Sequence, residues 1–313
     1  MIQANDSEMN SPVQSIGSIN KYLVLQEIGA GWHLYPVFKA LNPESFIEEY
    51  KTVVIKAIQT DDELNSYANE FAISELESHP NILKALEAIP GFPVDFGRFK
   101  DIKFNLLVFP FLPNGDLYDF IQKWSLNESV ARHFIGQIAD AVQYLHKNGF
   151  THRDIKLENI LLDGEYNAVV TDFGHAVKHS DAAGPISFSR GTTPGIAPPE
   201  YYDAKSYRGK DMDMFAIGKL LFQLVTGSNP FVEATTKDIF YSKIRQGEWE
   251  PYWKFFEKAR SKKGGLPSLS DEFKTLIEGL LEPSPEKRFD MEKLRESEWF
   301  KNTKPVAVKD LVI

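Results

Sequence analysis

Residues 152–159 read His-Arg-Asp-Ile-Lys-Leu-Glu-Asn, and 18 residues after Asp154 comes Asp172-Phe173-Gly174. These side-chain types have defined uses. A carboxylate can orient a hydroxyl and take its proton. An ammonium can neutralise charge spreading over oxygens in a transition state, and carboxylate and amide oxygens suit a hard cation such as Mg²⁺. Far upstream the chain reads Ile28-Gly29-Ala30-Gly31-Trp32. Gly29 and Gly31 let backbone N–H groups approach phosphates, because a Cβ there would crowd the ligand or forbid the required dihedrals. Taken alone that loop is weak evidence, since a plain hairpin turn has the same composition.

These groups need elements to hold them. Strand patterning over 22–27, 35–41 and 51–59, separated by glycine and Asn42-Pro43-Glu44, predicts three antiparallel strands. Asp61-Asp62-Glu63 opens a predicted helix over 64–78, stopped by His79-Pro80-Asn81, and two further strands follow near 93–100 and 104–109. Five strands and one helix make a small unit. After Pro113-Asn114-Gly115 the pattern turns helical: 117–124, then 127–148 ended by Gly149, with Val130, Phe134, Ile138, Val142 and Leu145 at helical spacing. The 152–159 segment leads into a strand at 160–162, a turn at Asp163-Gly164, and a second strand running into Asp172. Later helices are predicted over 211–226, 236–246, 271–281 and 291–297. Residues 1–19 read as a flexible leader and 303–313 as a tail, with no internal repeat.

Composition narrows the class. With 313 residues and 42% apolar content the chain can bury a sizeable core. Its 44 acidic against 35 basic residues, net −9, disfavour nucleic acid as the main partner. Zero cysteines exclude disulfides, thiol nucleophiles and Cys-ligated zinc, which fits a cytoplasmic or nuclear compartment. The N-terminal residues carry neither a secretory pattern nor the glycine that myristoylation needs, and the apolar run 106–112 is too short to span a bilayer; no membrane role is expected.

The 152–159 and 172–174 motifs together resemble the catalytic loop and metal-binding motif of eukaryotic protein kinases, serine/threonine type, and the resemblance covers residues 20–302. It implies an α+β, two-lobed fold: a small antiparallel five-stranded N-lobe with one helix over 20–112, a mainly helical C-lobe over 113–302, and ATP at the cleft. It further implies that Asp154 orients a substrate hydroxyl and accepts its proton, Lys156 stabilises the transferring phosphoryl, and Asn159 and Asp172 hold Mg²⁺. Val53-Val54-Ile55-Lys56 resembles the strand whose lysine pairs the α- and β-phosphates, with Glu70 as that lysine's carboxylate partner. Asn69, one residue earlier on the helix, is the alternative partner, and would bring Ile73 rather than Ser74 inward. Ile28, Gly29, Ala30 and Gly31 would form the phosphate lid; the family's third glycine is replaced by Leu34. Val37 and Val54 would roof the adenine and Leu161 would floor it. Phe109 would be a bulky gatekeeper, the Pro110 carbonyl and Leu112 backbone would meet the ring edge, and Asp116 would reach the ribose.

Further matches concern peptide substrates. Residues 191–200, ending in Pro198-Pro199-Glu200, resemble the end of an activation segment, with Glu200 expected to pair with Arg288 in a buried bridge. Asp213 opens a helix motif and would brace the catalytic-loop backbone. Ser187, Ser189 and Thr192 or Thr193 offer hydroxyls in this segment; Arg153 would accept a phosphate added by an upstream kinase at Ser187 or Ser189, and an ordinary polar loop with Thr192 as a structural hydrogen-bonding residue is the equal alternative. Asp116 and Glu158 match positions that read an arginine three residues before the target hydroxyl, whereas Gln223 lacks charge at the next subsite. The aromatic stretch 249–265 is expected to pack on the large lobe in preference to docking a partner. Two rivals remain: a pseudokinase scaffold that binds nucleotide or partners without turnover, and a small-molecule kinase, disfavoured by the activation segment.

Overall fold

The computed structural model describes residues 15–30, 36–60, 66–96, 99–124, 126–178, 185–187, 192–203, 206–262 and 267–302. The chain divides into two compact units, Met1–Tyr67 with Lys84–Phe111, and Ala68–Leu83 with Leu112–Ile313.

The first unit is an antiparallel sheet. Its strands are β1 (Gly17–Ile19), β2 (Tyr22–Ala30), β3 (Pro36–Leu41), β4 (Thr52–Gln59), β5 (Glu87–Phe96) and β6 (Phe99–Pro110), ordered β1-β2-β3-β4-β6-β5. That is six strands where five were expected. The extra one comes from the predicted leader: Gly17, Ser18 and Ile19 pair with Val24, Leu23 and Tyr22, and Ile19 is fully buried, so one apolar side chain recruits a polar segment into the sheet. Alternation sets the faces. Phe38, Ala40, Val53, Ile55 and Ala57 point into the sheet's core cluster, so Val37, Val54 and Lys56 point the other way. Both β5 and β6 start earlier than the pattern suggests; within β5 a register shift between Ile89 and Phe92 absorbs Pro90 and Gly91, while Pro93 stays paired with Lys103.

The second unit contains α1 (Ser66–Ser74) from Ala68 onward, α2 (Leu117–Lys123), α3 (Glu128–Lys147), α4 (Pro199–Asp203), α5 (Gly209–Thr226), α6 (Ile239–Arg245), α7 (Trp249–Lys262), α8 (Asp271–Leu280), α9 (Met291–Glu296) and α10 (Glu298–Lys301). Short strands β7 (Phe150–Thr151), β8 (Ile160–Leu162), β9 (Ala168–Val170), β10 (Val177–Lys178), β11 (Pro185–Ser187) and β12 (Ser206–Arg208) pair as β7-β10, β8-β9 and β11-β12. The helix α1, expected with the sheet, groups here: Ile73 lies in the helical core, and Asn69 Nδ2 donates to the Gly174 carbonyl. The acidic residues 61–63 that signalled its start lie outside the described residues.

Core packing explains the elements that position the site. All five apolar residues read from the α3 spacing are buried, and Asn127 caps the helix by accepting from Val130 N–H at 3.0 Å. Gly149, at φ +79°, turns the chain out of α3 and into β7, a conformation few side chains tolerate. On α5, Gly218 lets α8 approach: a Cβ there would lie 2.6 Å from Leu280 Cβ. The aromatic stretch 249–265 is largely a helix, α7, for which the sequence carries no clear helical signal; Pro251 sits in its first turn, where the missing N–H costs little. Tyr252, Trp253 and Phe256 enter the helical core, in line with packing.

Candidate active site

The 152–159 loop is held by groups far away in sequence. Asp213, fully buried at the start of α5, accepts from His152 N–H (Oδ2, 3.0 Å), Arg153 N–H (Oδ1, 2.8 Å) and His146 Nε2 (Oδ2, 2.8 Å). Burial pushes this carboxyl up, but the hydrogen bond and charge of His146, with His152 and the Arg153 N–H, outweigh it and hold it below the ordinary aspartate range. His152 Nδ1 accepts from Asp154 N–H at 3.2 Å, which leaves Nε2–H to donate to the Thr171 carbonyl at 3.0 Å. Arg153 adopts φ +67° and Asp172 φ +60°, conformations that cost free energy in non-glycine residues and persist where the surroundings over-determine them.

The chemically able side chains converge on Asp154, itself fully buried. Its Oδ2 lies 2.7 Å from Lys156 Nζ and accepts from Asn159 Nδ2 at 2.8 Å; its Oδ1 accepts from Thr193 Oγ1 at 2.6 Å. Lys156 Nζ also donates to Thr193 Oγ1 at 3.0 Å. Burial raises the Asp154 carboxyl, yet the Lys156 ammonium, the Thr193 hydroxyl and His175 more than offset this, so it stays ionised below the usual carboxylate range. Thr193, which the sequence offers only as one of several activation-segment hydroxyls, is thus a participant in this cluster. Thr192 bonds the Arg153 carbonyl at 2.6 Å, the structural alternative of the two readings offered for it.

The predicted metal pair fits a hard cation. Asn159 spends its amide nitrogen on the Asp154 carbonyl and carboxylate, each at 2.8 Å, which orients its Oδ1 as an acceptor. Thr171 N–H donates to the Asn159 carbonyl at 3.0 Å and so sets Asp172 one residue beyond it. An amide oxygen and a carboxylate make an oxygen donor set of the kind Mg²⁺ prefers.

The nucleotide-side predictions fall on both units. On the sheet, Gly29 pairs with Val37, Val37 with Lys56, and Lys56 with Leu107, a single row across four strands. Val54 lies between Lys39 and Phe109 on the same face, and Pro110 closes β6 opposite Val53. A register shift between Glu27 and Gly29 leaves Ile28 unpaired in the ladder and exposed; Ala30 pairs with Pro36, while Gly31 and Leu34 lie outside the described residues. In the helical unit Asp116 faces Leu161 across an isolated bridge and caps α2 through Asp119 N–H at 2.7 Å. Burial raises the Asp116 carboxyl, as do the charges of Asp119 and Glu158. Leu112 begins this unit's second segment. On α1 Glu70 is 2% exposed and Asn69 is partly buried and turned to Gly174, while Ile73 and Ser74 are both buried.

The end of the activation segment is tied down as expected. Arg288 grips Glu200 through two parallel contacts of 2.6 and 2.9 Å, with the side chains 1% and 10% exposed. Arg153, expected to await a phosphate, is buried and donates to the Tyr207 hydroxyl at 2.7 Å; Tyr207 lies on β12, which pairs with Pro185–Ser187. Ser187 has its backbone in β11, and Ser189 lies outside the described residues.

Comparison with known proteins identifies the family. The family model for the protein kinase domain matches residues 22–300. The chain belongs to the protein kinase domain family. The kinase domain is 31% identical to CBL-interacting protein kinase 24 of Oryza sativa subsp. japonica, over 79% of this chain and 49% of that protein. It is 29% identical to serine/threonine-protein kinase CHK1 of Mycosarcoma maydis, over 93% of this chain and 49% of that protein. With NUAK family SNF1-like kinase 1 of Mus musculus it shares 31% identity, over 80% of this chain and 34% of that protein. The chain spans about half the length of the curated relatives it matches. No helix among the described residues of this kinase domain is long and apolar enough to cross a membrane.

Proposed function

We propose that the chain is a serine/threonine protein kinase that moves the γ-phosphoryl group of Mg-ATP to protein hydroxyls. The observation that carries this is the convergence of Lys156, Asn159 and Thr193 on the Asp154 carboxylate. Asp154 aligns the incoming hydroxyl and takes its proton; its charged state at neutral pH follows from the lowered carboxyl. Lys156 shifts from Asp154 toward the transferring phosphoryl and compensates its charge. Bound Mg²⁺ would neutralise the phosphate oxygens, with Asn159 and Asp172 as its protein ligands.

On the sheet unit Lys56 supplies the fixed positive charge for the α- and β-phosphates, with Glu70 of α1 as its carboxylate partner. Gly29 and Gly31, with Ile28 and Ala30, supply backbone N–H groups to the phosphates. Val37, Val54 and Leu161 contact the adenine faces, the Pro110 carbonyl and Leu112 N–H its edge, and Asp116 the ribose. Proline is compatible with position 110, because that contact uses only a carbonyl. Asp116 and Glu158 favour a substrate with arginine three residues before the hydroxyl.

The test is transfer of radiolabelled γ-phosphate to a mixed basic-protein substrate by the wild type, Asp172→Asn and Lys56→Met. Label on Ser and Thr that falls by about 10²-fold or more in both variants is expected. A wild type silent even after treatment with an activating kinase overturns the proposal in favour of a non-catalytic scaffold.

A further inference from the structure

Lys219 has no part in the chemistry above. From Met214 to Val225 it is the one charged residue, in a run whose only other polar side chain is Gln223, and it is 4% exposed. Its Nζ donates to the carbonyls of Gly195, Phe231 (3.0 Å) and Val232 (3.4 Å), and lies 4.6 Å from the centre of the Phe231 ring. Three acceptors match the three N–H donors of an ammonium. Stability alone is a poor reason for this arrangement, since a well-packed apolar side chain at a buried site commonly does as well as a charge.

What the lysine gathers is informative. Gly195 lies in the short 3₁₀ turn Pro194–Ile196, immediately after Thr193, whose hydroxyl touches both Asp154 and Lys156. The same turn is held from α4 by the Tyr202 hydroxyl, which donates to the Pro194 carbonyl at 2.6 Å. Phe231 and Val232 form the opposite wall, itself fixed by Asp238, which accepts from Val232 N–H at 2.8 Å.

We propose that Lys219 is a positioning residue for the phosphoryl acceptor: by drawing the Gly195, Phe231 and Val232 carbonyls together it fixes the Thr193–Ile196 turn beside Asp154 and thereby sets the affinity for peptide. The inference rests on Asp154 and Lys156 being the reactive pair. Burial brings the Lys219 ammonium down to about 8, against the opposing charges of Asp238 and Glu233. The other titratable groups packed around this junction are Lys156 of the catalytic loop, Tyr202 on α4, Tyr241 on α6 and Tyr252 on α7. Burial pushes Tyr202 up to about 12 and raises Tyr252 well above the ordinary tyrosine range, so neither ionises near neutrality. Raising the pH therefore removes a donor from one of the three carbonyls.

Peptide KM and ATP Kd are measured from about pH 7 to about pH 9 for the full chain, Lys219→Met and Asp154→Asn. In the wild type peptide KM rises about tenfold across that range while ATP Kd holds. Lys219→Met shows the raised KM at every pH, with a flat profile. A Lys219→Met profile that overlays the wild type overturns the inference. If that variant fails to fold, the wild type decides, and a flat peptide KM overturns it equally. Transfer undiminished in Asp154→Asn instead sinks the reading of the reactive pair.

Discussion

The sheet row and the catalytic loop reach their geometry by different physical routes. Gly29, Val37 and Lys56 are aligned by strand register, each opposite the next, with a buried apolar face behind them. His152, Arg153 and Asp154 have almost no regular structure and are aligned by polar side chains 39 to 61 residues away, chiefly Thr192, Thr193 and Asp213. A row set by register tolerates loss of one side chain on its outer face, because the backbone ladder persists. A loop set by buried polar partners does not, because each loss leaves another buried group unsatisfied.

Three substitutions sharpen or break this contrast. The largest effect is expected from Arg288→Ala, which strands Glu200 at a largely buried site; it should cost about 3–5 kcal/mol in urea unfolding. A loss below about 1 kcal/mol would place that pair with ordinary surface bridges. Next, Asp213→Asn keeps the side-chain shape but gives up the charge that three donors face, and about 1–3 kcal/mol should be lost at pH near 7. The sign with pH follows from the lowered carboxyl: its contribution is complete above the ordinary aspartate range and is lost as pH falls through the still lower folded value. The gap between wild type and Asp213→Asn should therefore close in acid, and a gap that widens there would contradict the assignment. The smallest effect is expected on the sheet. Val54→Ala removes two methyl groups from the outer face and should shift unfolding by under about 1 kcal/mol, with its main effect on nucleotide affinity read by calorimetry. A stability loss as large as that of Asp213→Asn would erase the difference between the regions.

The sequence by itself determined most of the order of elements, because that rests on local signals. Apolar residues at helical spacing marked α3, alternation marked β3 and β4, and the spacing from Asp154 to Asp172 marked the loop and hairpin between them. The Glu200–Arg288 bridge was also legible, since both partners belong to recognisable motifs. Other features had no local signal. Pro251 disguised α7 as irregular, and polar composition disguised Gly17–Ile19 as leader, though each is recruited by apolar burial supplied from elsewhere in the chain. Tertiary structure alone decided that Thr193 joins Asp154 to Lys156, that Tyr207 meets Arg153, and that a lysine within an apolar helix gathers three carbonyls. The physical reason is common to all three. A hydroxyl or ammonium carries the same sequence signature whether water or a buried acceptor satisfies it, and only the folded chain determines which acceptor lies within reach.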